Sequence, residues 1–220
     1  MKGGLLATFA HPDDETFGCG GTLALHAEKD IIVRALSLTC SDTKRDTELR
    51  AAAKALGIDG PIILEEQNLK FNPVIIHQIS DIIVEHQPEV IITHLPFDYH
   101  KEHRITFELV KEAIEWAAHT TTYSSAWTVK KLLLMEVNTL ISNPHIIVNV
   151  SNSWHKKKEA ISAYTSQLDK FQWEYYQRFM EKKAELRGIQ GDCKYAEAFL
   201  EEPIKKNSPF YTEKSTNSIL

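Results

Sequence analysis

The stretch Leu5-Leu6-Ala7-Thr8-Phe9-Ala10-His11-Pro12-Asp13-Asp14-Glu15 decides how the chain is read. Its first half is an apolar run of strand length. Its second half places a histidine and two adjacent acids beside the end of that run. Acids are costly next to a core unless they find a partner. A divalent metal satisfies an imidazole and a carboxylate together, so the segment suggests a reaction as well as a fold.

Outward from it, apolar runs alternate with helical patterns. Ile31 to Leu38 reads as a second strand, Pro61 to Leu64 as a short third and Glu89 to Thr93 as a fourth. Helices are predicted over Phe17 to Lys29, over Thr43 to Leu56 with Gly57 as a stop signal, and over Pro73 to His86 with Pro73 in its first turn. Another runs from His103 to Ala117, with Ile105, Leu109, Ala113 and Ala117 on one face. This rhythm of near-continuous apolar strands and helices predicts an α/β fold with a mostly parallel sheet covered on both faces.

The C-terminal part is less regular. Val129 to Val137 and His145 to Val150 read as strands, Ser153 to Leu168 and Phe171 to Gly188 as helices, and Tyr195 to Phe199 as a last strand or edge segment. Trp173, Gln177, Met180 and Ala184 fall at helical spacing and are read as core packing. The expected organisation is one domain over residues 1–204 and a polar, non-periodic tail over 205–220.

Composition narrows the function classes. A chain of 220 residues is long enough to bury a sizeable core, and its formal net charge of -5 argues against a general nucleic-acid binder. No apolar run reaches the roughly 18 to 20 residues of a membrane span. Met1-Lys2-Gly3-Gly4 leads straight into the first strand pattern without the features of a signal peptide, so a cytoplasmic location is expected. Cys19, Cys40 and Cys193 are too few and too far apart for a disulfide framework or a thiolate zinc site, and are read as buried free thiols.

Three segments carry chemistry. They are His11 to Glu15 with Gly18 to Gly21 behind it, His94 to His103, and Arg45 to Glu48. The first two follow predicted parallel strands, and the third opens the helix after strand two. Open α/β sheets bind ligands outside the carboxyl ends of their strands, so the three should meet at one edge. His11 and Asp14, three apart on a turn, can face one ion; His100 and His103 are co-facial at a helix entrance. A catalytic zinc keeps three protein ligands and one open position. With His103 as the third ligand, Asp13 and His100 remain to move protons. With both histidines ligating, the site closes at four ligands and the protein is a non-catalytic metal binder. Taken singly, Asp13 or Asp14 could cap a helix, and Arg45 with Glu48 could be a surface pair. The glycines lack dinucleotide-fingerprint spacing and are read as clearing the site entrance.

At these residues the chain resembles the PIG-L/LmbE-like deacetylase family, which includes N-acetylglucosaminyl-phosphatidylinositol deacetylases and the deacetylases of mycothiol and bacillithiol synthesis. The resemblance rests on Ala10 to Glu15 with Gly20-Gly21, and on Thr93-His94, Pro96, Asp98, His100 and His103. It extends to Arg45, Glu48 and Leu56-Gly57, to Lys158, Ala160 and Ser166-Gln167, and to Tyr195 to Phe199. It implies a Rossmann-like domain holding a divalent metal, usually zinc (Zn2+), through His11, Asp14 and His103. Asp13 would be the general base and His100 the acid or oxyanion stabiliser. Arg45 would contact substrate, and Asp98 and Glu102 would orient neighbouring ligands. Three positions depart from the family pattern. Glu102 stands where an Asp is usual, Asn68 where an Asp grips sugar hydroxyls, and Tyr164 where a His commonly precedes the Ser-Gln pair.

The resemblance therefore implies metal-dependent removal of acetyl from an N-acetylglucosamine-type sugar conjugate. The alternative reading on the same scaffold is hydrolysis of a non-sugar N-acyl substrate. The expected partner is a small amino-sugar conjugate; a homo-oligomer stays open.

Overall fold

The structure is a computed structural model that describes residues 2–58 and 60–204. The tail expected over 205–220 lies outside the described residues. The elements run β1 (Leu5–Phe9), α1 (Asp14–Ala27), β2 (Val33–Ser37), α2 (Thr43–Leu56), β3 (Ile62–Ile63), α3 (Pro73–His86) and β4 (Val90–His94). They continue as α4 (Lys101–Ala117), β5 (Lys131–Met135), β6 (Ile146–Asn149), α5 (Trp154–Ala163), α6 (Thr165–Leu168), α7 (Tyr175–Gln190) and β7 (Ala196–Glu202).

The strands form one sheet in the order β3-β2-β1-β4-β5-β7-β6. The first five positions pair in parallel, and β7 runs antiparallel to both β5 and β6. Alternation along β1 divides the core. Leu5, Ala7 and Phe9 face one cluster with residues of α1, α2 and α5, whereas Leu6 and Ala10 face another with residues of α3 and α4. The mostly parallel α/β sheet with helices on both faces is therefore present. The chain reverses its direction of travel across the sheet between β1 and β4, and the crevice opens there, at Phe9 and His94.

Local chemistry sets the helix ends. Asp42 accepts the Arg45 N–H at 2.9 Å to start α2, and Gly57 ends it in a left-handed conformation with φ of 79°. Asn72 accepts the Val74 N–H at 2.9 Å ahead of Pro73.

Four expectations need correction. First, α1 starts at Asp14 rather than Phe17, so Asp14 and Glu15 belong to its first turn, and its backbone breaks at Cys19. Gly18 and Gly21 do not clear the site entrance. A Cβ on Gly18 would lie 2.5 Å from Met135 Sδ, and one on Gly21 would lie 2.8 Å from Val150 Cβ, so both seat α1 on its neighbours. Second, the helix expected over Ser153 to Leu168 divides at Tyr164, whose φ and ψ of -86° and 56° leave the helical region. Third, of the two readings of Tyr195 to Phe199 the last strand holds and the edge does not, because β7 lies between β5 and β6. Fourth, α7 begins only at Tyr175. Met180 and Ala184 are buried, but Trp173 precedes the helix with φ of 62° and is 79% exposed.

The break in α1 frees backbone groups that buried charges then satisfy. Glu197 of β7 accepts from Gly21 N at 2.9 Å and Thr22 N at 2.7 Å. Lys157 and Lys183 each donate to Phe17 O at 3.2 Å, and Lys157 pairs with Glu197 at 2.6 Å. The antiparallel end of the sheet thus fixes the helix whose first turn carries the acids.

Candidate active site

Asp14 is the hub. It is buried, and its carboxylate accepts the His11 N–H at 2.8 Å. Its oxygens lie 3.3 Å from His11 Nδ1, 3.2 Å from His103 Nε2 and 3.4 Å from His94 Nε2. Burial opposes its charge, but His103, with its hydrogen bond and that of His11, outweighs burial and holds Asp14 well below the usual carboxylate range.

Each of two imidazoles is tied on its far side to another acid. His11 Nε2 meets Glu102 Oε2 at 2.6 Å, and His103 Nδ1 lies 3.2 Å from Asp98 Oδ1. Asp98 is itself set by the His100 N–H at 2.9 Å. A neutral imidazole has one proton. If that proton faces the outer acid, His11 Nδ1 and His103 Nε2 both aim lone pairs at anionic Asp14. Without a cation between them, each ring must take up a second proton. Burial lowers their basicity, but Asp14 more than restores it, pushing His11 up to about 9 and His103 up to about 10. A convergence of two imidazole lone pairs and one carboxylate, backed by two outer acids, fits a divalent metal.

His94 also approaches Asp14 and His103, and Asp14, His94 and His103 are close enough to hold an ion. The His94 Nε2 lone pair, however, accepts the Ala10 N–H at 2.9 Å, and the ring stacks on His103 at 3.9 Å. Burial, then His103, lowers its pKa to about 4, which keeps it neutral. His94 therefore supports the site from below. His11, His100 and His103 likewise lie within ligand range of one ion. His100 stands with its ring centroid 5.0 Å from His11 and 4.7 Å from His103. Burial, together with His103 and His11, holds its pKa below the ordinary value.

Asp13 sits beside the hub without joining it. Its φ of 115° is strained for a residue with a Cβ. It makes no side-chain cap on α1; instead its carboxylate accepts from Arg45 Nη2 at 2.8 Å, and its N–H donates to Glu15 Oε2 at 3.1 Å. Burial and the adjacent Asp14 raise the Asp13 pKa well above the carboxylate range, with Arg45 opposing.

Around Asp13 lies a layer that the sequence motifs identify only in part. Arg45 and Glu48 are buried rather than a surface pair. Arg45 Nη1 meets Glu48 Oε2 at 3.2 Å, and Glu48 accepts from Ser166 N at 2.8 Å and Ser166 Oγ at 2.6 Å. The Arg-x-x-Glu and Ser-Gln segments thus clamp each other. Tyr164 donates to Glu15 at 2.5 Å and lies under Arg45, with the guanidinium carbon 5.4 Å from its ring centroid. Tyr164 and Glu15 had no sequence signal linking them, being 149 residues apart. The part played by His94 was equally hidden.

A cleft of about 470 Å³ opens over these groups, lined by His11, Asp13, Asp14, His100 and His103 together with Arg45 and Tyr176. The structure brings every residue expected at the metal and proton-transfer positions to this cleft. It does not bring Asn68, which is exposed and absent from the lining. Arg45 lines the cleft, but its guanidinium is spent on Asp13, Glu48 and Ser166. The larger cavity, near 700 Å³, lies away from these groups, between α4 and the end of β7.

Residues 6–114 match the PIG-L family, described as GlcNAc-PI de-N-acetylase. Over 194 residues the chain is 25% identical to a probable N-acetyl-alpha-D-glucosaminyl L-malate deacetylase 2 of Bacillus cereus, spanning 77% of this chain and 86% of that relative. Its fold is similar to that of an N,N'-diacetylchitobiose deacetylase from Pyrococcus horikoshii, with a TM-score of 0.81 and 21% identity, covering 95% of this chain and 87% of that one. It is also similar to a 4-carboxy-2-hydroxymuconate hydratase from Pseudomonas putida KT2440, with a TM-score of 0.80 and 20% identity, covering 96% and 100%. These two structural likenesses concern the fold alone.

Proposed function

Because the chain carries a PIG-L family domain, we propose that it hydrolyses the acetamide of an N-acetylglucosamine-type conjugate, releasing acetate and a free amine. The observation that carries the reading is Asp13, a buried, strained carboxylate held beside the His11–Asp14–His103 cluster yet bonded to Arg45 rather than to that cluster.

His11, Asp14 and His103 would hold a divalent ion, zinc by the family resemblance, which would polarise the acetamide carbonyl and lower the pKa of water at the site. Asp13 accepts the proton of the attacking water and passes it to the leaving amine. Its raised pKa suits it to both steps. His100 faces the same cleft and donates an N–H to the developing oxyanion. Burial, with His103 and His11, holds its pKa below the ordinary value. Arg45 keeps Asp13 in place and opposes the rise in its pKa. Asp98 and Glu102 fix the rings of His103 and His11. On this reading His100 stays off the ion, although it lies within ligand range of it, and a closed, non-catalytic site would need it as a fourth ligand.

A second reading, hydrolysis of a non-sugar N-acyl substrate, is favoured by the exposure of Asn68 away from the cleft. The test is acetate release by metal-loaded protein from N-acetylglucosaminyl conjugates, set beside N-acyl amino compounds. Turnover of the sugars supports the first reading. Turnover of the non-sugars alone selects the second, and turnover of neither sinks both.

A further inference from the structure

Aromatic side chains that the chemistry above does not use continue outward from the cleft. Tyr176 lines the cleft, with its ring centroid 5.2 Å from that of Phe17 in the cleft wall. From Tyr176 the rings pass to Phe171 at 5.4 Å and to Tyr175 at 5.3 Å. Phe171 and Tyr175 are 51% and 49% exposed, with centroids 5.2 Å apart. Between them in sequence, Trp173 and Glu174 hold left-handed backbones with φ of 62° and 53°, and Trp173 is 79% exposed. Tyr99, also a cleft residue, is 72% exposed beside His100.

One exposed aromatic is ordinary; a contiguous run leading out of a catalytic cleft is a binding surface. Charge argues for the same kind of occupant. Of the arginine and lysine side chains lining the cleft, Arg45 is committed to Asp13 and Glu48, which leaves Lys170 beside Gln167. Asp42 adds a further acid to the lining. Beyond the groups that would hold the ion, a small dianionic substituent finds one lysine to neutralise it, whereas a planar apolar group finds ring faces and edges.

We propose that Tyr176, Phe171 and Tyr175 form a subsite for a planar apolar group, an aryl aglycone, carried by the substrate beyond its N-acetylated part. The inference rests on the deacetylase reading for where the sugar lies. Its test reads binding separately from turnover.

The probes are benzyl 2-acetamido-2-deoxyglucoside, the corresponding malate conjugate and free N-acetylglucosamine, followed by tryptophan fluorescence and saturation-transfer NMR. The benzyl conjugate is expected to bind at least tenfold more tightly than the free sugar, with its phenyl protons receiving the strongest saturation. F171A/Y175A, and independently the single substitution Y175A at a half-exposed position, should cut that preference at least fivefold. Equal affinities, a preference untouched by these substitutions, tighter binding of the malate conjugate, or no binding of any probe would each overturn the proposal. So would a change in molar mass by light scattering with the preference intact, which would make the patch an interface between copies. If phenyl-dependent binding is present but no sugar releases acetate, the subsite stands and the deacetylase reading fails.

Discussion

Tyr164 donates its phenolic proton to Glu15 Oε1 over 2.5 Å, and the other oxygen of that carboxylate accepts the Asp13 N–H at 3.1 Å. The phenol thereby reaches the strained peptide of the proposed base through one buried acid. Y164F removes a single hydroxyl and leaves Glu15 short of a donor. A buried acceptor so deprived costs about 1–2 kcal/mol of stability, read by urea unfolding. Activity should fall several-fold in kcat with KM within twofold, because the base moves and the cleft wall does not. A changed KM with an unchanged kcat would place Tyr164 in substrate binding instead.

Arg45 opposes the rise that burial and Asp14 impose on Asp13. R45M should therefore move the acid limb of the pH–rate profile to higher pH and lower kcat at pH 7 by about 100-fold, within the range general-base losses span. R45K retains the charge without the paired geometry and should recover only part of that loss. An unmoved acid limb in R45M would show that Arg45 does not act on the base.

Proton counting tests the metal cluster. His11 and His103, raised to about 9 and about 10, both carry an extra proton at pH 8 in chelated protein. Loading a divalent ion at pH 8 should release about two protons, since ligands must be deprotonated to bind. The release should fade as pH rises through 9 to 10, and calorimetry in buffers of different ionisation enthalpy measures it. The same shifts set a stability trend in chelated protein. Folded-state values above the unfolded 6.5 give stability that is complete below pH 6.5 and lost through pH 9 to 10. Lys183, lowered to about 7 by burial and Lys157, works the other way between pH 7 and its unfolded value. Two groups against one leave a net fall, which K183M should steepen.

The outer acids should act on affinity. D98N and E102Q each remove the charge of an acid set against a proposed ligand, and such losses cost about 10- to 100-fold in metal affinity. Competition against a fluorescent chelator reads this directly. Affinity unchanged in both variants would mean that the rings are held by packing alone.

Much of this was legible in the sequence because it is local. Gly57 marks the end of α2, and the apolar runs of β1 and β4 announce a parallel sheet whose carboxyl edge gathers the two motifs. What escaped is the contact between distant parts. The role of Tyr164 depends on its meeting Glu15 across 149 residues, and the break in α1 depends on Glu197 and two buried lysines from the far end of the chain. Trp173 fits a helical stripe by spacing but lies ahead of the helix start, a boundary that no capping residue marks. Asn68 was assigned by position in a motif, and a loop position says little about where a side chain points.

The central claim is that Asp13 moves the proton while His11, Asp14 and His103 hold the ion. Substituting D13N preserves the shape and removes the basicity. The most direct measurement is kcat for acetate release by D13N, with bound metal quantified in the same sample. The account predicts a loss of at least about 100-fold with metal bound one to one. An unchanged kcat at full metal occupancy would contradict it.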